Sequence, residues 1–314
     1  MPVYKIHHIT KYTYDKAVKE SVNQIRLFPY NCLEQEVLHH EWNITNYPEL
    51  HIFNDYWNNR VAVFNIVEPH TELTIESKLM VRTTASNENF LGYYGTRVEL
   101  ENEMSDNLSL LELTSLDLID SQEEINDIVR SIYAPHKSIA EKVQHCSEYI
   151  FTNFQYIKGI TDIESTVDEI LKLKSGVCQD FAHVMLQLLH SMRIPSRYVS
   201  GYVCPSEVGI RGEGATHAWV EAWIPGTGWA GIDPTNNLWV TNKHVKLAVG
   251  RNFGDCSPVK GTFKGPVKQS LSVFVSIGYE DGHIFEDLNK VNLHLEPHPP
   301  TEEEIAAQEA SQQQ

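Results

Sequence analysis

From Val3 to about Thr84 polar and apolar side chains alternate with period two: Tyr4, Ile6, His8, Thr10, Tyr12 and Tyr14 share one face, and RVAVFNIV and LTIESKLMV alternate likewise. Period two is the repeat of a strand with one buried face. Pro29, Asn31, Pro48, Asn58-Asn59 and Pro69 fall between the runs, where turns are wanted. Residues 1–85 are therefore expected to form an antiparallel β-sandwich, in which His8, His39, His40 and His70 are ordinary polar strand residues.

Between residues 86 and 120 the periodicity fades and Asn, Gly, Glu and Asp gather, which marks a linker or insertion. Helical spacing then takes over in SQEEINDIVRSIYA and in SIAEKVQHCSEYIFTNF, where Ile139, Val143, Cys146 and Ile150 recur at steps of three and four. Ser165, three residues before Asp168, suggests the N-cap of a short helix ending near Leu173. In SGVCQDFAHVMLQLLH, Phe181, Met185, Leu188, Leu189 and Met192 make one helical stripe, and Ile194-Pro195 stops it because the residue before proline avoids helical backbone. RYVSGYV, HAWVEAWIP, GWAGIDPT and LSVFVSIGY read as strands, with Pro225 to Gly228 as the turn between the middle two. Residues 121–292 are thus expected to be an α+β domain, a helix on an antiparallel sheet, and the polar residues 293–314 a loose tail.

The totals narrow the chemistry. With 25 basic against 42 acidic residues the net charge is -17, which repels nucleic-acid backbones and anionic membrane surfaces. The start has no charged then apolar leader and no run approaches a membrane span, so a cytoplasmic protein is expected. Five cysteines, odd in number and far apart, fit a reducing compartment. No CxxC pair supports a zinc site and no D-x-D-x-D-G run supports calcium, so neither metal nor cofactor is expected.

Cys178 opens its helix instead of joining the stripe. There the unpaired backbone N–H groups and the positive end of the helix dipole favour a thiolate, and the same N–H groups can bind an oxyanion on an attacked carbonyl. Gly176 would let a substrate backbone approach. A base is still needed. His183 and His190 share the helix with Cys178 but are turned away or too far along, whereas His217 begins HAWVEAW. Asp233 lies almost symmetric to His217 about the Pro225–Gly228 turn with even separation, so a plain hairpin puts both on one face within a couple of residues of opposing each other. The carboxylate could then orient the imidazole. Trp219, Trp223 and Trp229 share that parity and either wall the site or belong to the ordinary core.

GVCQDFAHVM, RIPSRYVSGYV, THAWVEAWIPGTGW and GIDPTNN together resemble the core of the transglutaminase-like superfamily, whose fold is papain-like. HHITKYTYDKAV, IRLFP, NDYWNNRVAVFNI and PHTEL resemble the N-terminal β-domain of its bacterial members, and VGRNFGDCSPVKGTFKG the segment after the core. The resemblance implies Cys178 as nucleophile, His217 as acid and base and Asp233 as orienter. It also implies a second oxyanion donor upstream, Gln155 or Tyr156 in FTNFQYIKG, with Tyr156 preferred. Asp180 belongs to the pattern and is assigned a structural role. The usual glycine before Ile194 is Arg193 here, and Asn252 and Phe253 stand where Asp and Tyr are commoner. The expected protein is a cysteine acyl-transfer enzyme of the cysteine-protease type, hydrolysing a peptide or amide-bearing substrate through a thioester. The alternatives are a transglutaminase that passes the acyl group to an amine, and a noncatalytic protein that binds through the same cleft.

Overall fold

The computed structural model describes residues 1–84, 95–204, 211–212, 216–279 and 289–295. Six strands come first: β1 (Val3–Val18), β2 (Ser21–Ile25), β3 (Gln35–Ile44), β4 (His51–Asn54), β5 (Arg60–Ile66) and β6 (His70–Thr83). Helices α1 (Arg97–Ser105), α2 (Leu108–Glu112), α3 (Gln122–Ile132) and α4 (Ile139–Asn153) follow, then β7 (Gln155–Tyr156), α5 (Val167–Leu173), β8 (Ser175–Gly176) and α6 (Cys178–Ser191). Next come β9 (Ser196–Val203), β10 (Thr216–Ile224), β11 (Gly228–Asp233), β12 (Leu238–Trp239), β13 (His244–Gly250) and α7 (Phe253–Cys256). The chain ends in β14 (Val259–Phe263), β15 (Gln269–Tyr279) and β16 (Asn289–Leu295).

The alternating N-terminal pattern builds two facing sheets, β16-β15-β1-β6-β3 and β14-β2-β5-β4. Tyr4, Ile6, Ile25, Phe64, Ile75 and Val81 fill the space between them. Three of these strands come from the far end of the chain. β15 runs antiparallel to β1 from Tyr4↔Tyr279 to Tyr14↔Gln269, β14 pairs with β2, and β16 pairs with β15. The expected α+β stretch 121–292 is therefore cut at about residue 258, and residues 293–295 of the expected tail belong to β16, while residues 296–314 lie outside the described residues. Period two in LSVFVSIGY shows a strand but carries no mark of its partner; β1 has an edge whose N–H and C=O groups need one.

Residues 96–120, expected as linker or insertion, form α1 and α2, whose Leu100, Met104 and Leu110 enter the helical core. Few positions of these short helices are buried, so their period is weak. Thr96 caps α1, its hydroxyl accepting from the Glu99 N–H while the Glu99 carboxylate accepts from the Thr96 N–H. The boundary at residue 85 lies outside the described residues. Thr166, not Ser165, caps α5: its hydroxyl accepts from Glu169, whose carboxylate accepts in return from the Thr166 N–H. Ser165 instead bonds back to Asp162.

The second sheet has the order β12-β11-β10-β9-β13. Ala218, Val220, Ala222 and Ile224, one face of β10, meet the Phe181, Met185, Leu188 and Leu189 stripe of α6 in a single core. Each large side chain buried there contributes roughly 1.5–3 kcal/mol, so truncating Leu188 to alanine is the kind of change that would loosen α6 from the sheet. The opposite face of the sheet turns to the sandwich: Trp219, Val199 and Val249 pack against Tyr30 and Trp57, and Tyr202 and Val245 join the sandwich core. Tyr202 also hydrogen-bonds His8 Nδ1 at 2.7 Å, while His8 Nε2 meets Thr10. The two domains are thus fused through a buried interface that fixes β9 and β10. No helix among the described residues is long and apolar enough to cross a membrane.

Candidate active site

Cys178 is the first residue of α6 and is half-buried. Two local devices set it there. Lys174, at φ 50, ends α5 in the left-handed conformation and turns the chain into β8, which pairs in parallel with β7. The Asp180 carboxylate then accepts from the Val177 N–H at 2.7 Å and from the Thr161 hydroxyl at 2.6 Å, capping α6 at its third position. Burial raises the pKa of Asp180 against the pull of those two bonds. Gly176 makes this cap possible: a Cβ there would stand 2.4 Å from Asp180 Oδ2. The close approach expected of a substrate at Gly176 is made by Asp180 instead, because Gly176 is itself buried.

His217 lies at the start of β10. The hairpin register Val220↔Ile232 sets Asp233 beside Trp219, one same-face step from His217. His217 Nε2 donates to Asp233 Oδ2 at 2.8 Å, with both side chains fully shielded from solvent. Asp233 is held from two further directions: Oδ1 accepts from the Thr235 N–H at 2.9 Å and Oδ2 from Asn236 Nδ2 at 2.7 Å. Burial works to raise the pKa of Asp233, but the charge of His217, its hydrogen bond and that of Asn236 win, so the group stays a carboxylate. For His217 burial works downward, yet the Asp233 charge and then the Cys178 sulfur outweigh it and raise the imidazole to about 10. The buried Nδ1 has no hydrogen-bond partner among the described residues and is the nitrogen left for that sulfur. Two groups distant in sequence, Asp233 at the end of β11 and the Cys178 sulfur at the start of α6, therefore act on one imidazole.

Tyr156 and Gln155 separate cleanly. Strand alternation turns Gln155 to solvent, while Tyr156, paired with Gly176, is half-buried and leans on the edge of Phe181. Burial, and then the nearby Cys178 and Asp233, raise the pKa of its phenol, so it keeps its proton and can donate it in a hydrogen bond.

The tryptophans do not wall the cleft. Trp219 is fully buried behind the imidazole, ring to ring at 6.5 Å, with its other side against His244. Trp223 and Trp229 stack edge to face at 5.2 Å, and Trp223 donates to Glu103. They lie six residues along β10 from His217, roughly 20 Å at strand rise. Parity was right about the face and silent about distance.

Sequence reasoning missed Asn236 and Gly212. Besides holding Asp233, Asn236 accepts from the Arg211 N–H at 2.8 Å and donates to the Arg211 carbonyl at 3.0 Å, pinning that stretch across the site. Gly212, at φ +80, lies against the imidazole; a Cβ would come 2.5 Å from His217 Nδ1. Asn236 had a signal, an amide three residues after the acid in GIDPTNN; Gly212 had none.

The remaining cysteines are free and differently placed. Cys146, Cys204 and Cys256 are buried, which pushes their thiols up, and burial pushes Cys32 up to about 11. His183 accepts from the Phe253 N–H and His190 Nε2 faces the Ser196 carbonyl, so both serve the core. Among the described residues no cluster of His, Cys, Asp or Glu could hold a metal ion.

This geometry can be set beside known proteins. A family model described as the transglutaminase-like superfamily matches residues 126–234, and one described as the bacterial transglutaminase-like N-terminal region matches residues 4–82. An uncharacterized protein of Mycobacterium leprae is 32% identical over 288 residues, covering 87% of this chain and 97% of its own. A protein-glutamine gamma-glutamyltransferase of Pseudomonas aeruginosa is 35% identical over 81 residues, 24% of this chain and 12% of that one. The crystal structure of a Cytophaga hutchinsonii protein, proposed to be a cysteine protease, superposes with TM-score 0.72 at 19% identity and covers 93% of this chain and 96% of that one. The chain belongs to the transglutaminase-like superfamily and carries its bacterial N-terminal region.

Proposed function

We propose that the protein is a cysteine acyl-transfer enzyme acting on amide or peptide carbonyls. One observation carries the reading: His217, bonded to Asp233 at 2.8 Å through Nε2, keeps Nδ1 for the sulfur of Cys178 at the first position of α6. The sulfur attacks the carbonyl carbon, and the carbonyl oxygen becomes an oxyanion. Backbone N–H at the start of α6 and the Tyr156 hydroxyl are the donors for it. Collapse breaks the C–N bond as His217 passes its proton to the departing amine, which leaves a thioester on Cys178. Water, deprotonated by His217, then attacks the thioester, releases the acid and restores the thiol. Asp233 stabilises the imidazolium and fixes its plane throughout.

The reading is tested by alkylation of the intact protein with iodoacetamide near pH 6, followed by peptide mapping. Cys178 is expected to react well ahead of Cys32; equal rates would sink the nucleophile assignment. A second reading, transfer of the acyl group to an amine, draws support from the likeness of part of the chain to the Pseudomonas transferase. Incubation with an amide-bearing peptide and a fluorescent primary amine separates the two: hydrolysis yields ammonia and acid without label in the peptide, and transfer yields labelled peptide.

A further inference from the structure

A cavity of about 830 Å³ opens between the sandwich and the α+β domain, and one end of it is lined by Gln179 and Thr216. These residues directly follow Cys178 and precede His217 in the chain. The cavity therefore comes within one residue of Cys178 and of His217, neither of which lines it, and runs under the N-terminal domain, within the size range of small-molecule sites.

Its walls are mostly apolar. Tyr12 and Tyr14 of β1, Leu271 and Val273 of β15, Val63 of β5 and Phe263 of β14 supply them. Leu271, Val273 and Phe263 are only half-buried and keep apolar surface toward the space, although Val273 also packs on the sandwich core. In a chain with 42 acidic residues, no carboxylate stands among the described lining residues, and Lys260 is the one cationic side chain there. His8, also on the wall, is kept neutral by burial, with its pKa lowered to about 3. An uncharged apolar group loses nothing by desolvation in such a space and gains by leaving water, whereas a charged group finds few partners.

We infer that the N-terminal β-domain supplies the specificity pocket of the enzyme, and that its substrates carry an uncharged apolar side chain or acyl group, aliphatic or aromatic, beside the reacting carbonyl. This rests on the acyl-transfer reading of Cys178. It also assigns a task to the return of β14 and β15 to the first domain, since both strands form the cavity wall.

The experiment compares the rates at which Cys178 of the intact protein is alkylated by iodoacetamide, by N-hexyl iodoacetamide and by a reagent of similar length ending in a carboxylate. In each case the sulfur displaces iodide and forms one S–C bond. The hexyl reagent is expected to react at least about tenfold faster than iodoacetamide, and the acidic one without that gain. The ratio of hexyl to parent rate is expected to fall toward one in Leu271→Gln and in Val22→Glu. Val22 is 48% exposed on β2, so the second change leaves the fold intact should the first disturb it. Equal rates for the hexyl and parent reagents at a reactive Cys178, or a ratio untouched by both substitutions, would overturn the pocket alone. A Cys178 inert to all three reagents would overturn the nucleophile reading, and the pocket with it.

Discussion

Asn236 stands 2.7 Å from Asp233, its Nδ2 donating to the same carboxylate oxygen that accepts the His217 Nε2–H. Through its amide it also holds both backbone groups of Arg211, so one side chain ties the orienting acid to the chain that crosses the imidazole. Asn236→Ala removes a hydrogen bond to a charged acceptor, worth roughly 1.5–3 kcal/mol. Turnover is expected to fall by about tenfold or more, with a shifted alkaline limb in the pH–rate profile; loss of activity with an unmoved profile would show that Asn236 acts only on folding.

Gly212 predicts a steric effect at the same place. Its positive φ and its approach to His217 Nδ1 both exclude a Cβ. Gly212→Ala is expected to displace the imidazole or the backbone and to slow Cys178 alkylation sharply, while thermal stability changes by no more than about 1–2 kcal/mol.

The charge of Asp233 sets the alkaline limit. Because His217 is raised to about 10, its proton persists well above the ordinary histidine range, and activity that needs the imidazolium is expected to continue past pH 8. Asp233→Asn removes the dominant upward influence, so the alkaline limb of kcat/KM should move down, and kcat itself should drop by about 10³–10⁴ if the carboxylate plays the part it has in related triads. A variant with the wild-type limb would contradict the coupling of His217 to Asp233.

Glu221 governs acid stability. It is buried between Arg197, at 2.6 Å, and Lys246; burial works to raise its pKa, but the charges of Lys246 and then Arg197 lower it to about 2. A carboxylate with a depressed pKa stabilises the fold above its unfolded value near 4.5 and loses that contribution as pH falls toward 2, in all roughly 3 kcal/mol. Glu221→Gln should cost about 3–5 kcal/mol at neutral pH by stranding both cations. Denaturant melts across pH should show the gap between wild type and variant closing below pH 4.5.

Arg193 occupies the left-handed region at φ 52, where its N–H bonds the His190 carbonyl to end α6. That explains why the family usually has glycine there. Arg193→Gly relieves a backbone cost of roughly 1–2 kcal/mol, offset in part by glycine's freedom in the unfolded chain, and a net gain of up to about 1 kcal/mol in denaturant stability is expected. A loss would mean that the arginine side chain makes up for its strain.

The helix start at Cys178, the α6 stripe, the β10–β11 hairpin and the shared face of His217 and Asp233 were all legible in the sequence, because each follows from a local period or from parity about a turn. Local periods say which face of an element is buried, not what covers it. The partner of LSVFVSIGY, the role of Gly176 as room for Asp180, the burial of Tyr156 against the exposure of Gln155 and the retreat of Trp223 and Trp229 from His217 were decided only where distant segments met. Register and burial there depend on contacts between residues far apart in the chain. The cavity beneath the N-terminal domain belongs to the same class: its walls come from strands at both ends of the sequence, and no window along the chain contains them.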